Sequence, residues 1–110
     1  MAKKTRARTQ RREVGRALSK LQASREKLFQ LEPGGSAERP FEVSSAAVVE
    51  GHAQSVPCPR CEGKHDVLEH IALTRDDVRL REARLRCRQC GSLRSLWFRI
   101  RPGAAGAALN

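Results

Sequence analysis

Cys58-Pro59-Arg60-Cys61 and Cys87-Arg88-Gln89-Cys90-Gly91 decide how this sequence is read. Each stretch carries a C-x2-C pair, and 25 residues separate the two pairs. A C-x2-C turn brings two thiolates to one side of a tight knuckle. Two such knuckles together complete a tetrahedral four-sulfur site, the arrangement that zinc takes. The expected cofactor is therefore one Zn2+ held by Cys58, Cys61, Cys87 and Cys90. Closed four-thiolate coordination leaves no open position for water, so the metal is structural and its binding free energy is folding free energy. Gly63 and Gly91 follow the pairs, where a positive φ turns backbone amides toward the sulfurs.

Other uses of four cysteines fit less well. Two disulfides need an oxidising compartment that nothing here indicates. A thioredoxin-like redox pair needs a βαβ context, which neither pair has. A redox or metal-transfer role requires a labile metal or exposed thiols. Iron is compatible with four thiolates, and zinc is favoured on spacing and ligand type.

The paired CPRC and CRQCG motifs resemble the zinc-ribbon family over residues 56–101. The resemblance implies two knuckles joined by the metal, each feeding a β-hairpin, with a three-stranded antiparallel sheet. The 25-residue interval exceeds the ~15–20 usual between such pairs and implies a long central hairpin. Zinc ribbons serve in transcription factors, RNA polymerase subunits, ribosomal proteins and adaptors, so the resemblance narrows fold far more than function.

Three strands are read within residues 57–101. The first, 66–73, places Val67, Ile71 and Leu73 on one side and Leu68 on the other, with a turn at 74–77. In the second, 78–86, Val78 and Leu80 share one parity, while Ala83, Leu85 and Cys87 share the other. A bulge near Glu82-Ala83 would bring all five to the core face. It would also align Arg79, Arg81, Arg84, Arg86 and Arg88 on the opposite face. The third strand, 93–100, points Leu96, Phe98 and Ile100 inward and Trp97, Arg99 and Arg101 outward. This reading makes Arg79, Arg81, Arg84, Arg86, Arg88, Trp97 and Arg99 a candidate platform for single-stranded nucleic acid, with base stacking on Trp97 and arginines on phosphates. The competing reading packs Trp97 beneath the N-terminal helix or the 41–50 segment. The histidines His52, His65 and His70 are expected either at the surface or in support of the metal ligands. His65, four residues past Cys61, is the candidate for a hydrogen bond supporting the metal ligands.

Outside this unit the pattern changes. Residues 1–8 read as a disordered basic arm and 102–110 as a disordered Gly/Ala tail. Over 9–32, Val14, Ala17, Leu18, Leu21, Leu28 and Leu31 recur at helical spacing, and Pro33-Gly34-Gly35 stops the helix. The 33–56 connector holds a short strand at Phe41 and Val43. It also holds a helical turn over 46–50, capped by Ser44 or Ser45 and closed by Gly51. The fold class is thus a small zinc-stabilised β domain preceded by a basic amphipathic helix, α+β in sum.

Length and charge set the function classes. One small domain of 110 residues, 4% aromatic and 31% charged, has too little apolar material for a large enclosed catalytic pocket. No HExxH, GxSxG or phosphate-binding glycine loop is present, so no enzymatic activity and no small-molecule substrate are expected. No apolar run approaches a membrane span, and reduced cysteines assign a cytoplasmic location. The formal charge is +10, and residues 1–30 alone carry ten Lys+Arg against two Glu. Clustered cations of this kind point to nucleic acid, RNA or DNA, or to a nucleoprotein complex of transcription or the ribosome. The alternative is a protein–protein adaptor without nucleic-acid binding. In it the amphipathic helix pairs with itself or with a partner, and the charge serves solubility.

Overall fold

The computed structural model describes residues 6–101. Helix α1, Ala7–Leu31, is built from strong helix formers with no internal proline. It stops ahead of Pro33 and of Gly34, whose φ is +86°. Ala7 and Arg8, assigned to the basic arm from sequence, are its first two residues, while residues 1–5 and the expected 102–110 tail lie outside the described residues. Strand β1, Phe41–Val43, leads into a 3-10 turn, Ala46–Val48, and helix α2, Val49–Ser55. That helix runs through Gly51 instead of ending there. Ser45, at its entry, makes no side-chain capping bond. Continuation to Ser55 brings Ala53 onto the sheet beside Val49, and both are fully buried.

Strands β2, His65–Arg75, and β3, Val78–Cys87, form the long central hairpin, and β4, Leu93–Ile100, lies on the far side of β3. The hairpin turn is Asp76-Asp77, with φ of 51° and 63°. Two successive left-handed residues match the right-handed strand twist, and aspartate tolerates that region. The sheet has four strands, not three, and it is mixed: β1 pairs parallel to β4, Phe41 opposite Phe98 and Val43 opposite Ile100. The strand order is β1-β4-β3-β2. This added edge corrects the purely antiparallel ribbon expected from the cysteine pattern.

The register also corrects the face assignment. Pairing of β3 with β4 runs unbroken from Leu80 opposite Arg99 to Arg86 opposite Leu93, so no bulge lies at Glu82-Ala83. The shift lies in β2 between Val67 and Glu69, and Leu68 is the extra, exposed residue. Directly opposed residues share a face. Ala83, Leu85 and Cys87 therefore share the core face with Val67, His70, Leu96 and Phe98. Val78 and Leu80 lie on the other face with Ile71, Leu73, Trp97 and Arg99. Leu80 is nonetheless buried, in a hollow bordered by Ala37, Glu38 and Pro40. The change of parity along β3 thus records two covered faces, where the sequence reading took it for a bulge.

The principal core lies between α2 and the sheet. Val49 and Ala53 pack on Ala83, Leu85, Leu96 and Phe98, with Phe29, Phe41, Val43, Val56 and Val67 around them. Only the last turns of α1 join this core, through Phe29. Every residue from Arg6 to Leu21 is exposed. Among the described residues no helix is long and apolar enough to cross a membrane.

Candidate metal centre

The two knuckles are copies of one backbone design. In the first, Glu62 N–H donates to the Cys58 carbonyl at 2.8 Å and Cys58 N–H to the Gly63 carbonyl at 2.9 Å. In the second, Gly91 N–H donates to the Cys87 carbonyl at 3.0 Å and Cys87 N–H to the Ser92 carbonyl at 2.9 Å. The residue after the second cysteine turns left-handed in both, Glu62 at φ 63° and Gly91 at φ 74°. The positive φ of the first knuckle is thus at Glu62, not at Gly63. Gly63 is required for a different reason: a Cβ there would stand 3.0 Å from Cys87 Sγ and 3.2 Å from Cys61 Sγ.

These turns bring the four sulfurs of Cys58, Cys61, Cys87 and Cys90 within 4.8 Å of one another. Cys58 Sγ lies 3.7 Å from Cys90 Sγ, and Cys61 Sγ lies 3.3 Å from Cys87 Sγ. A tetrahedral ion with metal–sulfur bonds of ~2.3 Å sets its sulfurs about 3.8 Å apart, so the cluster fits one metal ion. Backbone amides already face the sulfurs: Arg60 N–H donates to Cys58 Sγ, and Gln89 and Cys90 N–H to Cys87 Sγ, each at 3.4 Å.

The thiols do not ionise alike. Burial raises the Cys58 thiol, yet the Ser92 hydroxyl and backbone amides outweigh it and bring the group down to about 6. Burial and competition with Cys87 and its neighbours push Cys61 up to about 12. Four thiolates this close repel one another, and a cation at their centre is what lets all four ionise together.

An arginine network ties the cluster to the rest of the fold. Arg94, on β4, has a side chain only 5% exposed. Its guanidinium donates to Glu26 of α1, Nη2 to Oε1 at 2.8 Å and Nε to Oε2 at 3.2 Å. It also donates to Ser92 Oγ at 2.8 Å and reaches His65 Nε2. Ser92 Oγ in turn sits 3.0 Å from Cys90 Sγ and 3.6 Å from Cys58 Sγ. His65 is buried, and its Nδ1 lies 2.8 Å from the Val56 carbonyl. That carbonyl only accepts, so Nδ1 carries the proton and Nε2 accepts from Arg94. Arg60, from the first knuckle, gives Glu26 a further contact at 3.2 Å. Burial raises the Glu26 carboxyl, but hydrogen bonds and charge from Arg94 and Arg60 prevail and hold it below its ordinary range. Sequence reading singled out His65 as a supporting group but missed Arg94 and Glu26, which stand 68 residues apart and share no local pattern.

The expected nucleic-acid platform divides. Arg79 and Arg81 lie on the core-side face, opposite Thr74 and Phe98, while Arg84 and Arg86 lie on the other face with Trp97 and Arg99. Arg88, past the end of β3, pairs with Asp66 at 2.6 Å. Arg84 faces Glu69 at 3.6 Å and Glu82 at 3.4 Å. Trp97 is half-buried and borders a groove with Glu26, Phe29 and Gln30 of α1. The continuous arginine field is therefore corrected to a split and partly neutralised set. His52, expected at the surface or in support of the metal ligands, is exposed and sets its ring edge-on to Phe41 and Phe98. His70 is half-buried on the core face and lies 3.9 Å from Glu50.

Comparison with protein-family models, curated proteins and solved structures gave no match to this chain. The site is therefore read from its own chemistry: four cysteines able to hold one metal ion, buttressed by a buried arginine.

Proposed function

We propose that the chain is a nucleic-acid-binding module, with a structural zinc ion on Cys58, Cys61, Cys87 and Cys90. Zinc supplies no catalytic step here; it fixes the two knuckles and, through Ser92 and Arg94, the base of α1. Four thiolates on one zinc leave an excess of negative charge, and buried Arg94 is placed to offset it.

One observation carries the nucleic-acid reading. Helix α1, with Arg6 just before it, presents Arg8, Arg11, Arg12, Arg16, Lys20, Arg25 and Lys27, and none of these cations forms an ion pair among the described residues. Of the sheet candidates, Arg84 and Arg88 are taken up by Glu69, Glu82 and Asp66, and the remaining arginines are divided between the two faces of the sheet, Arg79 and Arg81 on one and Arg86 and Arg99 on the other. Arg12, Arg16, Lys20 and Lys27 fall on one side of the helix at 100° per residue, forming a cationic edge able to track phosphates. The weight of binding thus rests on α1, with Arg86, Arg99 and Trp97 as secondary contacts.

The test is fluorescence anisotropy of a labelled single-stranded oligonucleotide, RNA and DNA in turn, across a salt series. Binding should weaken steeply with salt, and the slope should fall by about 0.7 per phosphate contact removed. The variant Arg12→Gln/Arg16→Gln/Lys20→Gln should flatten that slope, while zinc content stays the same. An unchanged slope in this variant, or no binding at low salt, would refute the reading.

A further inference from the structure

The basic edge leaves the other side of α1 unexplained. Val14, Leu18, Leu21 and Leu28 line that side and are 67%, 52%, 47% and 61% exposed. Phosphates do not bind such a stripe. Nor is this part of α1 self-sufficient: the chain from Arg6 to Leu21 is exposed throughout, and a free helix of ~15 residues is marginal in water. Gly15, where a Cβ would meet nothing within 4 Å, weakens it further. We propose that the stripe is covered by the same stripe of a second copy of this chain, the two helices running antiparallel about a two-fold axis midway between Leu18 and Leu21.

The spacing sets the register. Arg11, Val14, Leu18, Leu21, Arg25 and Leu28 follow one another at alternating steps of three and four residues, the seam of a two-helix pair. Centred as proposed, Leu18 of one copy stands level with Leu21 of the other. Val14 then meets the aliphatic stem of Arg25, and Arg11 comes level with Leu28. Each of these contacts is made twice, as two-fold symmetry demands. From Val14 to Leu28 the seam extends ~21 Å, about four helical turns.

Charge selects the second copy and its direction. Leu28 lines an open groove of about 350 Å³ between α1 and the first knuckle, and Arg25, Glu32 and Glu62 stand in its wall. Two carboxylates against one guanidinium leave that end of the stripe with an excess negative charge. Neither Glu32 nor Glu62 forms an ion pair among the described residues. The missing cation stands at the other end of the stripe, as Arg11. In the antiparallel pair Arg11 of each copy reaches the groove of the other, and so does the positive N-terminal end of the helix dipole. The stripe is thus self-complementary, basic at one end and acidic at the other. A parallel pair would set Arg11 against Arg11 and Arg25 against Arg25, which disfavours it. A uniformly acidic partner would meet Glu32 and Glu62 with like charge. Glu13 lies about 100° around the helix from Val14 and stays outside the seam. Arg12, Arg16, Lys20 and Lys27 lie on the opposite side, so pairing leaves the cationic edge free.

The test is sedimentation of the full zinc-loaded chain, freed of nucleic acid, over a series of protein concentrations. It should show a dimer at high concentration that dissociates on dilution, and more readily as salt screens the ionic ends. Leu18→Ser/Leu21→Ser should raise the dissociation constant about a hundredfold or more, because four leucines per pair lose the cover the other copy supplies. Both leucines are clear of the core, so the variant should keep its zinc. Arg11→Glu should weaken pairing about tenfold by placing a third carboxylate at each groove. Adding Glu32→Arg to it should restore pairing, because the signs at the two ends are then exchanged. A monomer at every concentration would overturn the proposal and assign the stripe to a different protein. A dimer that survives Leu18→Ser/Leu21→Ser would overturn it too. Tighter pairing in Arg11→Glu, the response of a parallel pair, or no recovery on adding Glu32→Arg would overturn the antiparallel register.

Discussion

Removing the Glu26 carboxylate should loosen α1 from the sheet without emptying the metal site. Glu26 is the polar tie between the two: its side chain is 15% exposed and its oxygens accept from Arg94 and Arg60. Arg60 is 35% exposed, so solvent screens its share and Arg94 carries most of the effect. Truncating one partner of a buried ion pair costs ~3–5 kcal/mol, mainly because the surviving charge stays desolvated. Arg94 retains Ser92 and the negative thiolate cluster nearby, which places Glu26→Ala at the lower end, about 3 kcal/mol. Glu26→Gln keeps an acceptor oxygen and should cost about 1.5–2 kcal/mol, in line with charge-assisted hydrogen bonds. The assay is urea unfolding at fixed free zinc, followed by emission from Trp97, which borders the same groove as Glu26 and Phe29. Emission of the native baseline should shift to the red as α1 lifts away, with one zinc still bound. A loss below ~0.5 kcal/mol in Glu26→Ala, with Trp97 emission unchanged, would refute a docking role for the pair.

Other perturbations separate the parts. Cys87→Ser should lose metal and tertiary structure together, read by metal analysis and circular dichroism; a folded, metal-free protein would contradict a structural ion. Gly63→Ala should weaken zinc retention in a chelator competition, because its Cβ would also stand 2.8 Å from Gln89 Cβ. Gly15→Ala meets nothing within 4 Å and should instead stabilise α1 by ~0.5–1 kcal/mol in thermal melts. With its pKa lowered, Glu26 contributes stability that is complete above the ordinary carboxylate range and is lost as pH falls through the lowered value. The stability gap between the native chain and Glu26→Gln should accordingly narrow as the pH drops below about 4.5.

What the sequence disclosed was what local chemistry dictates. A C-x2-C spacing restricts the backbone enough to identify a knuckle, and two of them identify a four-sulfur cluster. The alternation of Phe41 and Val43 marked a strand, but nothing in three residues tells which edge receives it or in which direction. Gly51 looked like a helix stop because the rule weighs only local backbone entropy; burial of Ala53 against the sheet prevailed. Leu80 misled for a related reason. Its parity suggested a bulge when the 37–40 segment, distant in sequence, borders a second face. The Arg94–Glu26 pair was invisible because one more arginine in an arginine-rich strand has no signature, and only the fold makes it the buried one.

That burial also bears on how so small a sheet supports a long free helix. The main core consists of Val49, Ala53, Ala83, Leu85, Leu96 and Phe98, and of α1 only Phe29 packs against it. Apolar packing alone therefore gives α1 little direction. Arg94 adds direction, since it contacts Glu26 on one side and, through Ser92, the neighbourhood of Cys58 and Cys90 on the other. The Phe29 ring stacks toward its guanidinium at 5.9 Å, which closes the joint from the apolar side. A helix held at one end by a joint beside the four-cysteine cluster keeps both its basic edge and its leucine stripe clear of the sheet. The joint therefore fixes where α1 leaves the sheet while the chain from Arg6 to Leu21 stays exposed.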